Sequence, residues 1–265
     1  MAIGLIIIGD EILSGKRQDK HLSKVIEILH ARGLQLDWAE YVGDSREKIT
    51  ATLQRSFAGD DIVFSTGGIG ATPDDHTRQG AAAALQVPLA LHDGAKLLIE
   101  QRIREMAAEA GDTLNLAAPE HQQRLKMGEF PLGAQLIPNP YNRIPGFAVD
   151  RHYFVPGFPV MAWPMIEWVL DTHYPHLFHQ QARAEQSVFV YEAIESVLTP
   201  LMERLEADYP LIKVFSLPTV ASENQRRHIE LGVKGDAAQV PLAYAAMCAG
   251  LDLFAAEYVA VTAAL

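Results

Sequence analysis

The 265-residue sequence contains a single cysteine, Cys248, so an intrachain disulfide is excluded. The apolar segment around Cys248 favours a buried, inert thiol over a nucleophile. No uninterrupted run of about 20 apolar residues occurs, so no membrane span is expected. The short apolar start lacks basic residues and is typical of a buried strand rather than of a signal peptide. Together these absences predict a cytoplasmic protein.

The sequence also lacks a block of basic residues, and its net charge is −11. A general nucleic-acid or anionic-membrane binder needs clustered Lys and Arg, so neither partner is expected. A small phosphate-containing ligand remains compatible with this charge, because backbone amides or a metal ion can hold a phosphate locally.

Three common catalytic or nucleotide-binding motifs are absent as well. The glycine-rich stretch "TGGIGATPDDHT" (66–77) has no Gly-Lys-Ser/Thr ending, so it is not a Walker loop. It is not a dinucleotide fingerprint either, because no fitting G-x-G-x-x-G is present. The serine elbow G-x-S-x-G is missing, which leaves a hydrolase triad without support.

What is present is a regular alternation of strand and helix patterns. Apolar runs at 3–9, in "LQLDWAEYV" and in "DIVFST" predict strands, and helical spacing follows each of them. Such an alternation specifies an α/β fold with three layers, in which helices cover both faces of a mostly parallel sheet. A short strand and a long helix continue the pattern. Residues 111–145 then read as an irregular excursion, and the helix after "VPGFP" is expected to be interrupted near Pro164.

A change of composition at "THYPHLFHQQARAEQ" indicates a linker, so we predict two domains, 1–172 and 183–265. The second shows the order β-α-β-β-α-β, the plan of a small α+β ferredoxin-like domain with a polar turn between its middle strands. His173, His176 and His179 recur at a spacing that a metal site could use. Pro175 interrupts the local helix, and a solvated linker is the favoured interpretation.

Acidic residues follow each of the first three predicted strands, in "GDEILSGKRQD", "VGDSRE" and "TGGIGATPDDHT". Ligands of open α/β sheets bind beyond the carboxyl ends of the strands, so we expect these loops to converge. Gly67, Gly68 and Gly70 permit positive φ and close approach, which would turn amides toward an anion. The neighbouring carboxylates are consistent with a divalent ion such as Mg²⁺ that bridges them to phosphate. The alternative is helix capping by Asp44 with Glu47, or by Asp74 or Asp75.

These motifs resemble the MoaB/Mog molybdopterin-binding fold family, and within it the branch formed by the amino-terminal part of competence/damage-inducible protein CinA. The resemblance rests on "GDEILSG…D" (9–19), "VGDSREKI" (42–49) and "TGGIGATPDDHT" (66–77), and continues through "FPLGAQLIPN" and "VPGFP" to about residue 170. The amidase domain of full-length CinA would lie beyond the end of this chain, so that activity is not expected.

The resemblance implies binding of molybdopterin or a nucleotide, with metal-dependent cleavage of the ADP-ribose pyrophosphate or nucleotidyl transfer as candidate reactions. It also implies a homo-oligomer, a dimer or a trimer. The residues it assigns to each role are as follows: catalytic Asp44 and Asp75; phosphate- or ligand-binding Gly67, Gly68, Gly70, Thr72, Asp74, Asn139 and Arg143; metal-binding Glu11, Asp19, Asp44 and Asp75.

The sequence departs from the branch at several positions. Lys20-His21 stand where Thr-Asn is usual, Ala71 where Pro is usual and Val160 where Glu is usual, and Asn142-Arg143-Ile144 replace small residues. Arg143 could contact a phosphate itself. Two hypotheses follow: a metal-dependent enzyme that cleaves or transfers at a pyrophosphate, and a non-catalytic binding module with a diverged pocket. The intact acids favour the first hypothesis, and the altered segment favours the second.

Overall fold

The structure is a computed structural model that describes residues 2–111, 113, 115–180, 182–220 and 226–261. Contacts between residues divide the chain into two compact units, 1–178 and 179–265. The predicted domains, 1–172 and 183–265, stay a prediction about which segments fold independently.

The first unit alternates strands and helices from its first residues onward. Its strands are β1 (Ile3–Ile8), β2 (Trp38–Val42), β3 (Ile62–Thr66), β4 (Leu89–Leu91), β5 (Glu129–Pro131), β6 (Gln135–Ile137), β7 (Gly146–Val149) and β8 (His152–Val155). Its helices are α1 (Asp10–Leu13), α2 (His21–His30), α3 (Arg46–Phe57), α4 (Thr77–Leu85), α5 (Asp93–Ala110), α6 (Pro119–Leu125) and α7 (Pro159–His173).

Six of these strands form one mixed sheet in the order β2-β1-β3-β8-β7-β6. The neighbours β2, β1, β3 and β8 run parallel to one another. Strand β7 is antiparallel to both of its neighbours, β8 and β6. The predicted mostly parallel sheet is confirmed. Since β2, β1, β3 and β8 share a direction, the loops that follow these four strands all lie at the same edge of the sheet.

Helices cover both faces of this sheet, and β1 shows why. All six of its residues are buried, because alternate side chains point to opposite faces. Ile3, Leu5 and Ile7 join a cluster with α2 and α7, while Ile6 and Ile8 join a second cluster with α3 and α4. The three-layer arrangement follows from these two cores.

Two details differ from the sequence-based expectation. Helix α7 runs through Pro164 without a break, because its buried residues hold it against the sheet even though proline removes one backbone donor. The short strand β4 does not enter the main sheet but pairs with β5 in a separate antiparallel ribbon. The described part of the excursion is therefore more ordered than predicted.

The predicted linker is also partly structured. Pro175–Leu177 form a 3-10 turn, and Tyr174 is buried in the core of the first unit. Leu177 and Phe178 pack against the same core. The predicted solvated linker is therefore wrong for Tyr174, Leu177 and Phe178, which pack on the core, whereas the three histidines are exposed as that interpretation expects.

The second unit has the predicted ferredoxin-like plan. Its elements are β9 (Arg183–Tyr191), α8 (Glu195–Asp208), β10 (Ile212–Thr219), β11 (His228–Asp236), α9 (Val240–Leu253) and β12 (Tyr258–Ala260). The strands form an antiparallel sheet in the order β10-β11-β9-β12, and α8 and α9 contribute to its core. The predicted polar turn between β10 and β11 includes residues 221–225, which lie outside the described residues. Within the ranges given above, no helix combines the length and apolar character needed to cross a membrane.

Candidate ligand-binding site

A cavity of about 500 Å³ lies beyond the carboxyl ends of β1, β2, β3 and β8. This volume suits a small-molecule ligand. The loops that follow the first three strands converge here, as expected from the parallel sheet. The predicted site residues that line the cavity are Glu11, Asp44, Gly67, Gly68, Gly70, Thr72, Asp74, Asp75 and Asn139. Asp19 and Arg143 are not among its lining residues.

In the glycine loop, most carbonyl groups accept hydrogen bonds from other parts of the protein, whereas several amides are left without an acceptor. The carbonyl oxygen of Gly67 accepts a hydrogen bond from the Thr77 hydroxyl at 2.9 Å, and that of Gly68 accepts one from the Thr77 amide at 3.0 Å. The Ala71 carbonyl oxygen accepts from Gln123 Nε2 at 2.7 Å. In contrast, the amides of residues 68–71 donate to no acceptor in the described part of the chain. Residues 68–71 all line the cavity, so four successive residues with unpaired amides lie along its wall.

Close packing explains why this loop needs glycines. Gly67 and Gly68 have positive φ angles of 98° and 66°, as the sequence predicts. A Cβ at Gly67 would overlap the carbonyl oxygen of Ile8, and one at Gly68 would overlap the Thr77 hydroxyl. Gly70 does not have the predicted positive φ. It is instead needed for space, because a Cβ there would lie 2.5 Å from the Asp75 carboxylate.

Arg78, on the first turn of α4, braces the glycine loop from behind, and sequence reasoning missed it. Its side chain is only 3% exposed. Its guanidinium donates to the carbonyl oxygen of Gly70 at 2.5 Å, and also to those of Lys126 and Glu129. Burial lowers the pKa of Arg78, while the charges of Asp75 and Glu129 oppose that shift. The one signal in the sequence is an arginine placed just before an alanine-rich run that must be buried.

Asp75 joins the two ends of a short turn by accepting hydrogen bonds from Thr72. One of its carboxylate oxygens accepts from the Thr72 amide at 2.8 Å and from the Thr72 hydroxyl at 2.5 Å. The alternative that Asp74 or Asp75 caps α4 is wrong, since the residue at that position is His76 and its side chain makes no capping hydrogen bond. Asp74 lines the cavity beside this turn.

Asp44 occupies a strongly acidic environment. The Asp10 amide donates to its carboxylate at 2.8 Å, and the Asp44 amide donates to the Asp10 carboxylate at 3.2 Å. Burial raises the pKa of Asp44, and the charges of Asp10, Glu11 and Asp74 raise it further, against the effect of the Asp10 amide. Asp44 is not the cap of α3, because Ser45 fills that role by accepting from the Lys48 amide at 3.3 Å.

The proposed metal ligands are only partly brought together. Glu11, Asp44 and Asp75 line the cavity. Asp19 does not, since its carboxylate accepts from the His21 and Leu22 amides at the start of α2 and from the Tyr41 hydroxyl. No group of three or more His, Cys, Asp or Glu side chains is placed to hold a metal ion in the ranges that the structure describes.

The segment 139–145 contributes side chains to one part of the cavity. Asn139 uses its amide nitrogen on Asn142 Oδ1 and the Ile144 carbonyl oxygen, and its Oδ1 on the Tyr141 amide. Asn139 therefore shapes this turn rather than offering free donors. Arg143 has a positive φ of 65° and forms an ion pair with Glu105 at 3.0 Å, in a separate small cavity. The predicted phosphate contact of Arg143 does not arise in this arrangement.

An apolar surface completes the cavity, and sequence reasoning missed it as well. It comes from α1, from α7, from the segment between β8 and α7, and from the segments that precede β5 and β7. Its members are Ile12, Met127, Ile144, Pro145, Phe158 and Met161. The cavity thus pairs a row of amides and acids with an apolar side.

Known proteins share the part of the chain that holds this cavity. The sequence model of the family described as "Probable molybdopterin binding domain" matches residues 4–178. A CinA-like protein from Anaeromyxobacter sp. (strain Fw109-5) is 33% identical over 173 residues, a match that covers 63% of this chain and 40% of the relative. A protein from Caldivirga maquilingensis is 29% identical over 217 residues, 79% of each chain.

One solved structure supports the fold of the same region. The crystal structure of the protein CinA, described as of unknown function, from Thermoplasma acidophilum superimposes with a TM-score of 0.54 at 25% identity. The superposition covers 64% of this chain and 98% of that one. The alignment with the first relative spans 40% of that protein's length.

Proposed function

Because the chain belongs to the family described as "Probable molybdopterin binding domain", we propose that the cavity of its first unit binds a molecule that joins a planar ring to a phosphate. Membership of this family indicates that the first unit is a molybdopterin-related binding module. Molybdopterin itself joins a ring system to a phosphate. The observation that carries the proposal is the row of unpaired amides at residues 68–71 beside an apolar surface. The amides suit the phosphate, and the apolar surface suits the ring.

Backbone amides are well suited to this task because their positions are already fixed. The carbonyl groups of Gly67, Gly68, Gly70 and Ala71 are all tied to other parts of the protein. A phosphate would therefore meet donors that need no rearrangement, which lowers the entropic cost of binding. Thr72 is committed to Asp75, so the amides rather than the Thr72 hydroxyl are the proposed phosphate ligands.

The acids on the same side of the cavity require a cation or a proton when an anion enters. Glu11, Asp44 and Asp74 bring negative charge close to the proposed phosphate. A divalent metal would supply positive charge, but the described residues do not offer three donors to one ion. The donor set therefore does not fit a resident metal, and we derive no step through one.

The binding proposal is tested with a pair of variants that differ in charge alone. Ala71 lines the cavity, and its carbonyl oxygen faces Gln123 while its amide is unpaired. Neopterin monophosphate and AMP serve as probes in isothermal titration calorimetry. Ala71→Asp should weaken the binding of both by roughly tenfold or more, because a carboxylate would repel the phosphate. Ala71→Asn, the control of similar shape, should stay within about threefold of wild type.

Two outcomes would refute the proposal. Wild type could bind neither probe, or the two variants could weaken binding to the same extent. In the second case the added bulk rather than the charge would be responsible, and the phosphate would lie elsewhere.

A second candidate is the cleavage of ADP-ribose at its pyrophosphate, and one observation favours it. Asp44 faces the same cavity as the amides and has a raised pKa, which suits a group that exchanges protons in a reaction. The measurement is release of AMP from ADP-ribose with Mg²⁺, Mn²⁺ or Co²⁺. Asp44→Asn should abolish the release. Probe binding without any AMP release would leave the binding module as the function.

The role of Asp75 is separable in the same assay. If Asp75 acts in catalysis, Asp75→Asn should abolish turnover, whereas a role in bracing Thr72 predicts weaker probe binding and a lower melting temperature. The homo-oligomer implied by the family resemblance also stays a prediction. Light scattering coupled to size-exclusion chromatography would test it.

A further inference from the structure

Phe158 is a large aromatic side chain that the fold leaves uncovered. It is 56% exposed and lines the cavity. No aromatic ring among the described residues stacks on it. Single exposed apolar residues are common on protein surfaces, so exposure alone carries little meaning. Its place in a concave site that residues 68–71 also line is what distinguishes Phe158.

The backbone beneath this ring is fixed. The Gly157 carbonyl oxygen accepts a hydrogen bond from His21 Nε2 at 3.0 Å. Gly157 also lies against the glycine loop, since a Cβ there would contact the Gly67 Cα at 3.3 Å. The Phe158 carbonyl oxygen accepts from the Met161 and Ala162 amides at 2.9 Å each, at the start of α7. A ring on such a base loses little freedom when a ligand covers it.

His21 adds a second sign of an incomplete site. Its side chain is 5% exposed, and it lines the cavity below Phe158. His21 Nε2 donates to the Gly157 carbonyl oxygen, and Nδ1 has no hydrogen-bond partner in the described ranges. A buried polar atom without a partner is costly, so its presence on the cavity wall points to a ligand with polar edges.

We propose that Phe158 is the platform on which the planar ring of the ligand stacks, with the phosphate held by the amides of residues 68–71. The inference rests on the proposed function and specifies it further. Stacking on an aromatic side chain accepts any flat heterocycle, so Phe158 would contribute affinity for a ring while His21 keeps Gly157 in place. Binding of a phosphate without a ring should not depend on Phe158.

The test compares probes with and without a ring. Neopterin monophosphate and AMP carry one, and ribose 5-phosphate does not. By calorimetry, Phe158→Ala should weaken the two ring-bearing probes by roughly tenfold, the range expected for one stacking contact. It should change ribose 5-phosphate by less than about twofold. Phe158→Trp, which keeps a platform, should bind the ring-bearing probes at least as well as wild type.

Val160 provides the matched control. It is 54% exposed, lies two residues further along and does not line the cavity. Val160→Ala should leave all three affinities unchanged. The inference is overturned if Phe158→Ala leaves the ring-bearing probes unaffected, or if it weakens all three probes equally. A wild-type protein that binds no probe overturns the proposed function, and the inference with it, so the two failures are distinguishable.

Discussion

The two sides of the cavity are built in different ways. The glycine wall, residues 67–72, offers backbone amides that are held from behind by Thr77, Arg78 and Asp75. The side-chain wall, residues 139–145 and 156–161, offers Asn142, Ile144, Phe158 and Met161. A wall made of backbone tolerates few substitutions at its closely packed glycines, because an added Cβ at Gly67 would overlap a neighbouring main-chain atom. A wall made of side chains can change its contacts one residue at a time.

The largest expected effect comes from breaking the glycine wall at Gly67. Gly67→Ala adds a Cβ that overlaps the Ile8 carbonyl oxygen at a φ of 98°. The expected loss of stability is about 3–5 kcal/mol, from backbone strain and overlap together. Urea unfolding measures it. Gly133→Ala is the control, because Gly133 has a φ of 90° but open space around it, and should lose only about 1–2 kcal/mol. Equal losses would show that packing does not fix this wall.

Removal of the brace should have the next largest effect. Arg78→Met leaves the carbonyl groups of Gly70, Lys126 and Glu129 without their donor. We expect a loss of about 2–4 kcal/mol and weaker binding of neopterin monophosphate, because the loop is no longer anchored. Arg102→Met serves as the control, since the side-chain contacts of Arg102 among the described residues are ion pairs with Glu105 and Glu109, each worth less than about 1 kcal/mol. Unchanged binding in Arg78→Met would show that ligand binding does not depend on the hydrogen bonds of Arg78 to the loop.

The sequence predicted that the glycine loop lies beyond the strand ends, and it predicted the contacts of the side-chain wall poorly, for a physical reason. Apolar runs place β1, β2 and β3 side by side, and parallel strands bring their following loops together without further information. Which side chain of a loop reaches the cavity depends on distant contacts. Asp19 and Glu11 belong to one motif, but Asp19 is drawn to the Tyr41 hydroxyl and to the amides of α2.

The same limitation applies to the segment 139–145. The unusual backbone of Arg143 directs its side chain to Glu105, while Asn142 and Ile144 line the cavity. Composition and spacing do not predict a left-handed backbone at a residue other than glycine. The sequence therefore favoured the charged Arg143 as a ligand. Arg78 was missed because its three acceptors are main-chain carbonyl groups, which leave no trace in the sequence.

A smaller effect tests the charge of Asp44, which lines the cavity together with the glycine wall. Burial and neighbouring acids raise the pKa of Asp44, so the folded protein holds this proton more tightly than the unfolded chain does. Ionisation of Asp44 then costs stability as the pH rises through the raised pKa, and that cost is absent below the ordinary carboxyl range, near about pH 3. Asp44→Asn should therefore raise the melting temperature at neutral pH and leave it unchanged at low pH.

Asp171→Asn gives the opposite sign as a control. The hydrogen bond from Arg32 lowers the pKa of Asp171, so this substitution should lower the melting temperature at neutral pH. If Asp44→Asn also destabilises the protein at neutral pH, the negative charge of Asp44 is already compensated in the folded protein, and no added cation is needed beside it.

The smallest effect is expected on the side-chain wall, at Arg143. Arg143→Gly relieves a φ of 65° and removes one exposed ion pair with Glu105, two changes of opposite sign that should nearly cancel, within about 1 kcal/mol. Affinity for neopterin monophosphate and AMP should not change, because Arg143 does not line the cavity. Calorimetry decides between this expectation and the phosphate contact that the sequence suggested. A loss of fivefold or more would mean that Arg143 leaves Glu105 and swings to the phosphate when ligand binds, and the two walls would then share the anion.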